Sequence, residues 1–132
     1  MNLLQARIEA TAAHAVCHCG PLSLPVPDAY ANPLPRYDGT AVVLGIRPED
    51  IYDRDVPGGI PLDAKIVAIE ALGPETVVVG EIAGVAELSV RLGRGFSAPI
   101  GSVQRFYLDP NQIHLFDAQT TLAIAPAHGN RA

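Results

Sequence analysis

Residues 62–92 read LDAKIVAIEALGPETVVVGEIAGVAELSVRL, and this stretch decides the fold class. Apolar and polar side chains alternate in residues 62–71 and again in residues 86–92, which is the period of a strand with one buried face. Between them, residues 76–82 form a β-branched run, and glycine and proline separate the three segments. We therefore predict three consecutive strands joined by turns. In the first strand, four apolar side chains are predicted to face inward: Leu62, Ala64, Ile66 and Ala68.

The same periodicity extends over the rest of the chain. Apolar alternation or β-branched runs predict further strands at Leu3–Thr11, His14–Cys19, Thr40–Ile46, Ser102–Leu108, Ile113–Phe116 and Leu122–Ile124. Residues 22–27 are predicted to be extended because their prolines disfavour helix in the preceding residue. Short strands at intervals of roughly 8 to 12 residues indicate an all-β fold, either a small barrel or a sandwich.

The segments between these strands are predicted to be turns. Residues 28–37 fit a short helical turn, and residues 56–61 fit a loop because of their glycines and prolines. Pro48 and the two carboxylates that follow it favour a second helical start. We expect one domain over residues 1–125 and a flexible tail over residues 126–132.

Composition limits the function classes. The chain has 132 residues, of which 48% are hydrophobic and 17% charged, so it can build one core and disorder is disfavoured. The formal net charge is −5 and Lys65 is the only lysine, whereas nucleic-acid binding needs clustered cations. No apolar run reaches the roughly 18 to 20 residues of a membrane span. Two cysteines and no secretion signal at the start predict a reducing, cytoplasmic setting.

The segment His14-Ala15-Val16-Cys17-His18-Cys19 contains four side chains that can ligate zinc. On a strand, Cys17 and Cys19 share one face and His14 and His18 the other, so the four converge on one ion only if the strand bends. A tetrahedral site usually takes two ligands from a second cluster, and the sequence has none. A metal protein is one hypothesis. The alternative, half-buried thiols with surface imidazoles, is the interpretation that we favour.

Other charged features predict no catalysis. An acidic run follows Pro48 and consists of Glu49, Asp50, Asp53 and Asp55. It lacks the glycine-centred spacing of a calcium loop, so a solvated helix start is the simpler interpretation. His114 lies in an apolar segment without a nucleophile motif beside it, which favours a structural histidine. The sequence contains no phosphate-cradling P-loop. We predict no catalytic, cofactor-binding or metal-binding residues in this chain.

Several segments nevertheless occur together in a characteristic order. They are Met1-Asn2-Leu3-Leu4, residues 43–51 (VLGIRPEDI), residues 70–76 (EALGPET), Gly101 with residues 108–110 (LDP), and residues 113–117 (IHLFD). This series resembles the C-terminal regulatory region of the ATPase subunits of bacterial ABC importers, in the branch that serves maltose, other sugars and glycerol phosphate. In that family the region is a TOBE domain. The resemblance extends from Met1 to about residue 123 and is weakest before about residue 38.

The resemblance implies an all-β, OB-like small barrel with short helical turns, which is one piece of a longer subunit. The full-length subunit would hydrolyse ATP with Mg in a nucleotide-binding domain that this chain lacks, so this piece is expected not to be an enzyme. In the family, such subunits sit on the cytoplasmic side of the membrane permeases, and two barrels contact each other. Some members receive inhibitory signals from a regulator through this region.

The resemblance also marks Arg47 and Glu49, which belong to the Gly-Ile-Arg-Pro-Glu segment. We expect Arg47 to make an ion pair or to contact a neighbouring domain. The alternative, an arginine at a strand end that serves only its own fold, remains open. A second hypothesis for the domain is a small-ligand sensor for a sugar, a phosphate or an oxyanion, because related barrels hold oxyanions. The transported solute does not follow from the sequence.

Overall fold

The computed structural model describes residues 1–10, 15–26, 37–82 and 86–124. The described elements are ten strands and two 3₁₀ turns, Pro48–Asp50 and Pro110–Gln112. The strands are β1 (Asn2–Ala10), β2 (Ala15–Cys19), β3 (Leu22–Pro25), β4 (Ala41–Ile46), β5 (Ile51–Tyr52), β6 (Ile60–Ala71), β7 (Glu75–Ile82), β8 (Ala86–Gly93), β9 (Val103–Leu108) and β10 (His114–Asp117). The predicted all-β class with short helical turns is confirmed.

The strands form two antiparallel sheets. Sheet A has the order β10-β4-β1-β2-β3, and sheet B has the order β5-β9-β6-β7-β8. The two edge strands of sheet B, β5 and β8, contact each other, so this sheet curls into a nearly closed barrel. At the junction of the sheets, Asn2 of β1 donates from Nδ2 to the Ser89 carbonyl (2.8 Å) and accepts from the Ser89 N–H (2.7 Å). One side chain thus extends the backbone hydrogen bonding from sheet A to sheet B.

A single hydrophobic core lies between the sheets. It is built mainly from leucine, isoleucine, valine and alanine, as the scarcity of aromatic residues requires. The one phenylalanine that is fully buried, Phe106 on β9, contacts the ring of Phe96 with the ring centroids 6.1 Å apart. Strand alternation places the buried residues on one face of each strand, for example Leu4, Ala6 and Ile8 on β1.

The predicted pattern fails at one position in β6. Leu62, Ala64 and Ile66 are buried as expected, but Ala68 is exposed. The pairing of β6 with β7 shifts its register between Ile66 and Ala68, which is a β-bulge with Val67 as the extra residue. A bulge reverses the faces of all later residues in a strand. The change of face occurs at Val67 and Ile69, which are apolar although the alternation predicts polar residues there.

Several boundaries also differ from prediction. Strand β6 begins at Ile60, inside the predicted loop, because Ile60 and Pro61 pair with the end of β9. The predicted strand at residues 122–124 is a single bridge between Phe116 and Ala123. Thr11, His14, residues 28–36 of the predicted helical turn, and the predicted tail lie outside the described residues. The extent of the domain, residues 1–125, stays a prediction.

Candidate functional site

Arg47 and Glu49 lie at the link between the two sheets. Arg47 follows the last residue of β4, and its backbone is extended (φ −73°, ψ 144°) before Pro48 opens the 3₁₀ turn. The Asp50 N–H closes that turn on the Arg47 carbonyl at 2.9 Å. Both the Arg47 and the Glu49 side chains are exposed. Asn2 pairs with Ile46, so the antiparallel register places Met1 beside Arg47.

The electrostatics of this link centre on Asp50. Partial burial raises the pKa of Asp50, and the like charges of Glu49 and Asp109 raise it further, while Arg47 and His114 oppose the shift. The structure therefore brings Asp50 near Asp109 and His114, which are far from it in the sequence. The other members of the acidic run, Glu49, Asp53 and Asp55, are exposed, as a solvated turn predicts. Among the described residues, no three His, Cys, Asp or Glu side chains are grouped to hold a metal ion.

The cysteine–histidine segment is divided by strand β2. Cys17 and Cys19 face the core with no exposed surface, so the expectation of half-buried thiols is wrong. Burial, with a smaller effect from Cys19, raises the pKa of the Cys17 thiol to about 12, and burial also raises the pKa of Cys19. His18 lies on the opposite, outer face. Thiols in the core and an imidazole outside cannot ligate one ion, and His14 lies outside the described residues.

An apolar surface lies on the outer face of sheet A, and we call it the sheet A patch: Met1, Leu3, Val43, Gly45 and Phe116. Leu3 on β1 pairs with Gly45 on β4, and Phe116 on β10 pairs with Val43. A Cβ on Gly45 would lie 2.5 Å from Met1 Sδ and 2.9 Å from Phe116 Cε2, so both side chains rest directly on the glycine. Met1 and Leu3 are 53% and 61% exposed. In the same rows Gln5 pairs with Val43 and His114 pairs with Gly45, so an amide and an imidazole border the apolar side chains.

A second apolar surface lies on sheet B beside the β6 bulge, and we call it the sheet B patch: Val67, Ile100 and Val103. Their exposed fractions are 39%, 63% and 63%. The Ile66 N–H donates to the Ser102 carbonyl (2.8 Å), and the Gly101 N–H donates to the Ile66 carbonyl (2.7 Å). These bonds hold the loop before β9 against the bulge, so the three apolar side chains share one stretch of surface. Lys65 lies between Val103 and Glu81, because it pairs with Val103 on β9 and with Glu81 on β7.

Two small cavities open on the described surface, and each contains a carboxylate. One, of about 260 Å³, is lined by Tyr37, Thr40, Ala41, Asp117, Ala118 and Gln119. Backbone N–H groups of Thr120 and Gln119, together with the Tyr37 hydroxyl, hold the pKa of Asp117 below its usual value. The other, of about 310 Å³, is lined by Pro21, Leu22, Pro61, Leu62, Asp63 and Ile82.

Asp63 in the second cavity is already paired. Arg105 donates from Nε to its Oδ1 at 2.9 Å, which lowers the pKa of the carboxyl group. The Asp117 carboxylate disfavours anions in the first cavity, whereas the charge of Asp63 in the second is balanced by Arg105. The small-ligand sensor hypothesis stays a prediction.

Comparison with known proteins agrees with the sequence resemblance. The family model of the MalK OB fold domain matches residues 1–51, and that of the TOBE domain matches residues 44–116. The sn-glycerol-3-phosphate import ATP-binding protein UgpC of Escherichia coli O1:K1 is 35% identical over 121 residues, which cover 91% of this chain. UgpC of Yersinia pestis bv. Antiqua is 30% identical over 126 residues, or 96% of the chain. The chain covers 32% and 33% of these two relatives, about a third of their length.

A solved structure shares the fold. The cytoplasmic molybdate-binding protein ModG superposes with a TM-score of 0.68 over 86% of this chain and 94% of its own, at 14% sequence identity. Among the described residues, the helices are single 3₁₀ turns that are much too short to span a bilayer. The two sheets, the nearly closed barrel and the two family models lead to one assignment: the chain belongs to the TOBE domain family, with an OB-like β-barrel.

Proposed function

We propose that this chain is the regulatory and dimerisation domain of the ATP-binding subunit of an ABC importer for sugars or related solutes. The full-length subunit couples ATP hydrolysis to solute uptake on the cytoplasmic face of the membrane, where it docks on the permease subunits. ATP and Mg bind in its nucleotide-binding domain, and the barrel performs no chemistry in that cycle. The relatives named for glycerol-phosphate import, of whose length this chain covers 32%, support the proposal.

The observation that carries the proposal is the pair of apolar patches on the outside of the barrel. Met1 and Leu3 are exposed together on one sheet and Ile100 and Val103 on the other, and contiguous exposed apolar surface marks contact sites. Two patches on different sheets fit two different contacts. The two contacts expected of such a domain are the rest of its own subunit and a second copy.

The sheet A patch is assigned to the rest of the subunit. Met1 lies beside Arg47 in the strand register, so a polypeptide segment before Met1 would pass over this end of the sheet. Arg47 and Glu49 are exposed there and supply charges of both signs at the rim of an apolar centre, which is the usual composition of an interdomain contact. In this proposal, Arg47 and Glu49 contact the nucleotide-binding domain.

The sheet B patch is assigned to a second copy. A net charge of −5 makes two copies repel each other except where the contact is uncharged or complementary. Val67, Ile100 and Val103 are uncharged, and Lys65 and Glu81 beside them carry opposite charges. In a two-fold interface the same patch meets itself, so Lys65 of each copy can reach Glu81 of the other.

Pairing of this kind gives the domain a mechanical role. Two barrels that stay together hold their ATPase domains at a high effective concentration. The two ATPase domains can therefore separate after each cycle without dissociation of the two subunits. A regulatory protein that binds one arrangement of the pair more tightly than the other would shift the population between them.

Analytical ultracentrifugation of the 132-residue chain tests the assignment. We expect the unmodified chain to dimerise, Val103→Asp to raise the dissociation constant at least about tenfold because it buries an unpaired carboxylate, and Leu3→Asp to leave it unchanged. Both substitutions are on exposed positions, so each variant is the control for the other. A chain that is monomeric at high concentration, or one whose dimer is broken by Leu3→Asp instead, contradicts the proposal.

A further inference from the structure

Three exposed side chains on the outer face of sheet A form a hydrogen-bonded chain. His18 Nδ1 lies 3.0 Å from Ser23 Oγ, and His18 Nε2 lies 3.2 Å from Glu9 Oε1. Ser23 is the direct cross-strand partner of His18 on β3, and Glu9 lies diagonally across on β1. The His18 side chain is 43% exposed and that of Glu9 70%. Neither patch and neither cavity includes these residues.

The partners decide where the imidazole carries its proton. A neutral imidazole has one N–H, and a carboxylate accepts a stronger hydrogen bond than a hydroxyl does because it is charged. Nε2 therefore donates to Glu9, and the lone pair on Nδ1 accepts the Ser23 hydroxyl proton. A serine bonded to a base that a third group orients is the arrangement of an activated nucleophile.

We propose that Ser23 is a nucleophilic acceptor of acyl groups from activated esters and thioesters. Its Oγ forms a bond to the acyl carbon, the bond to the leaving alkoxide or thiolate breaks, and the Ser23 proton passes to His18 Nδ1 and then to the leaving group. His18 is the general base and Glu9 is the positioning residue. The three side chains lie on an open sheet face and not in an enclosed site. We therefore expect Ser23 to be acylated once and the acyl-serine to remain, without repeated turnover. The inference is independent of the proposed function.

Labelling with p-nitrophenyl acetate tests the proposal, with peptide mass mapping to locate each acetyl group on the folded chain. Ser97, an exposed serine, is the matched control. A general base accelerates such reactions by about 10² or more, so Ser23 is expected to react about 100-fold faster than Ser97. His18→Gln should reduce the Ser23 rate to that of Ser97, and Ser23→Ala should remove the label from this peptide.

The Glu9→Gln variant tests whether Glu9 orients His18 for the reaction or only stabilises the fold. The charged groups facing His18 from β1 are Glu9 and Arg7, and β3 contributes the uncharged Ser23. Without the carboxylate, His18 loses the acceptor that orients its ring, so the rate at Ser23 should fall about tenfold, whereas Glu9→Asp, which keeps a carboxylate, should retain most of that rate. Circular dichroism melts verify that each variant is folded. Equal rates at Ser23 and Ser97, or a Ser23 rate that His18→Gln leaves unchanged, would overturn the proposal.

Discussion

The outer faces of the two sheets differ although their inner faces are alike. Both sheets supply buried aliphatic residues to one core. Outside, the sheet A patch packs on Gly45, whereas sheet B carries the Asp63–Arg105 and Glu75–Arg91 ion pairs as well as the sheet B patch. The inner faces therefore determine the fold, and the outer faces carry the surfaces to which we assign contacts.

The largest effect on stability is expected in the hydrophobic core, where a substitution in either sheet should destabilise the whole domain. Leu44→Ala on β4 and Phe106→Ala on β9 each remove a fully buried side chain. Such truncations cost about 2–5 and 3–5 kcal/mol respectively, from lost burial and the cavity left behind. Urea unfolding should show a single transition in both variants. Two separate transitions would mean that the sheets have independent cores.

The next effect concerns the junction between the sheets. Asn2→Ala removes both hydrogen bonds between the Asn2 amide and the Ser89 backbone. At about 1 kcal/mol for each bond, and more where a half-buried backbone group is left unpaired, we expect the free energy of unfolding to fall by about 2–3 kcal/mol. Gln5→Ala, at an exposed position of the same strand, is the control and should change little. Equal effects in the two variants would rule out Asn2 as a link.

Substitution of one glycine in each sheet compares how closely side chains pack on the two outer faces. Gly45→Ala places a methyl group against Met1 and Phe116, whereas Gly93→Ala on β8 meets no atom within 4 Å. We expect the first to destabilise by about 1 kcal/mol, since the overlying side chains must shift. The second should be neutral or stabilise by up to about 1 kcal/mol, because alanine has less chain entropy to lose. Thermal melts compare the two variants, and an unstable Gly93→Ala would contradict this account.

The smallest effect concerns Asp50 at the link between the sheets. Its pKa is raised in the folded state, mainly by burial and by Glu49. The folded state therefore binds the proton more tightly than the unfolded state, and stability decreases as pH rises through the range above the usual aspartate value. Asp50→Asn should be more stable than the unmodified chain at pH 7, by less than about 1 kcal/mol. The gain should disappear below the ordinary pKa of 3.8, and a loss of stability at pH 7 would contradict the sign.

Most of the fold was predictable because alternation of apolar residues depends only on local sequence. The bulge at Val67 and the bridge of Asn2 to Ser89 were not, since both depend on which strands become neighbours. The same holds for the network of His18 with Ser23 and Glu9, which comes from two strand registers that no spacing along the chain reveals.

The sheet A patch did leave a signal in the sequence. Leu3 interrupts the polar face of β1, and Phe116 does the same on β10. An apolar residue on the polar face of each of these strands indicates an apolar outer surface. By contrast, the sheet B patch depends on the loop before β9 folding back onto the bulge, so its members do not stand out in the sequence.

The most direct test of the account is an NMR dilution series of the unmodified chain. Amide shifts should change with protein concentration at Val67, Ile100 and Val103, as two copies associate through the sheet B patch. Those of Leu3, Gly45 and Phe116 should stay constant, because the partner proposed for the sheet A patch, a nucleotide-binding domain, is not in the sample. Shifts that are independent of concentration everywhere, or that change at the sheet A patch instead, would contradict the account.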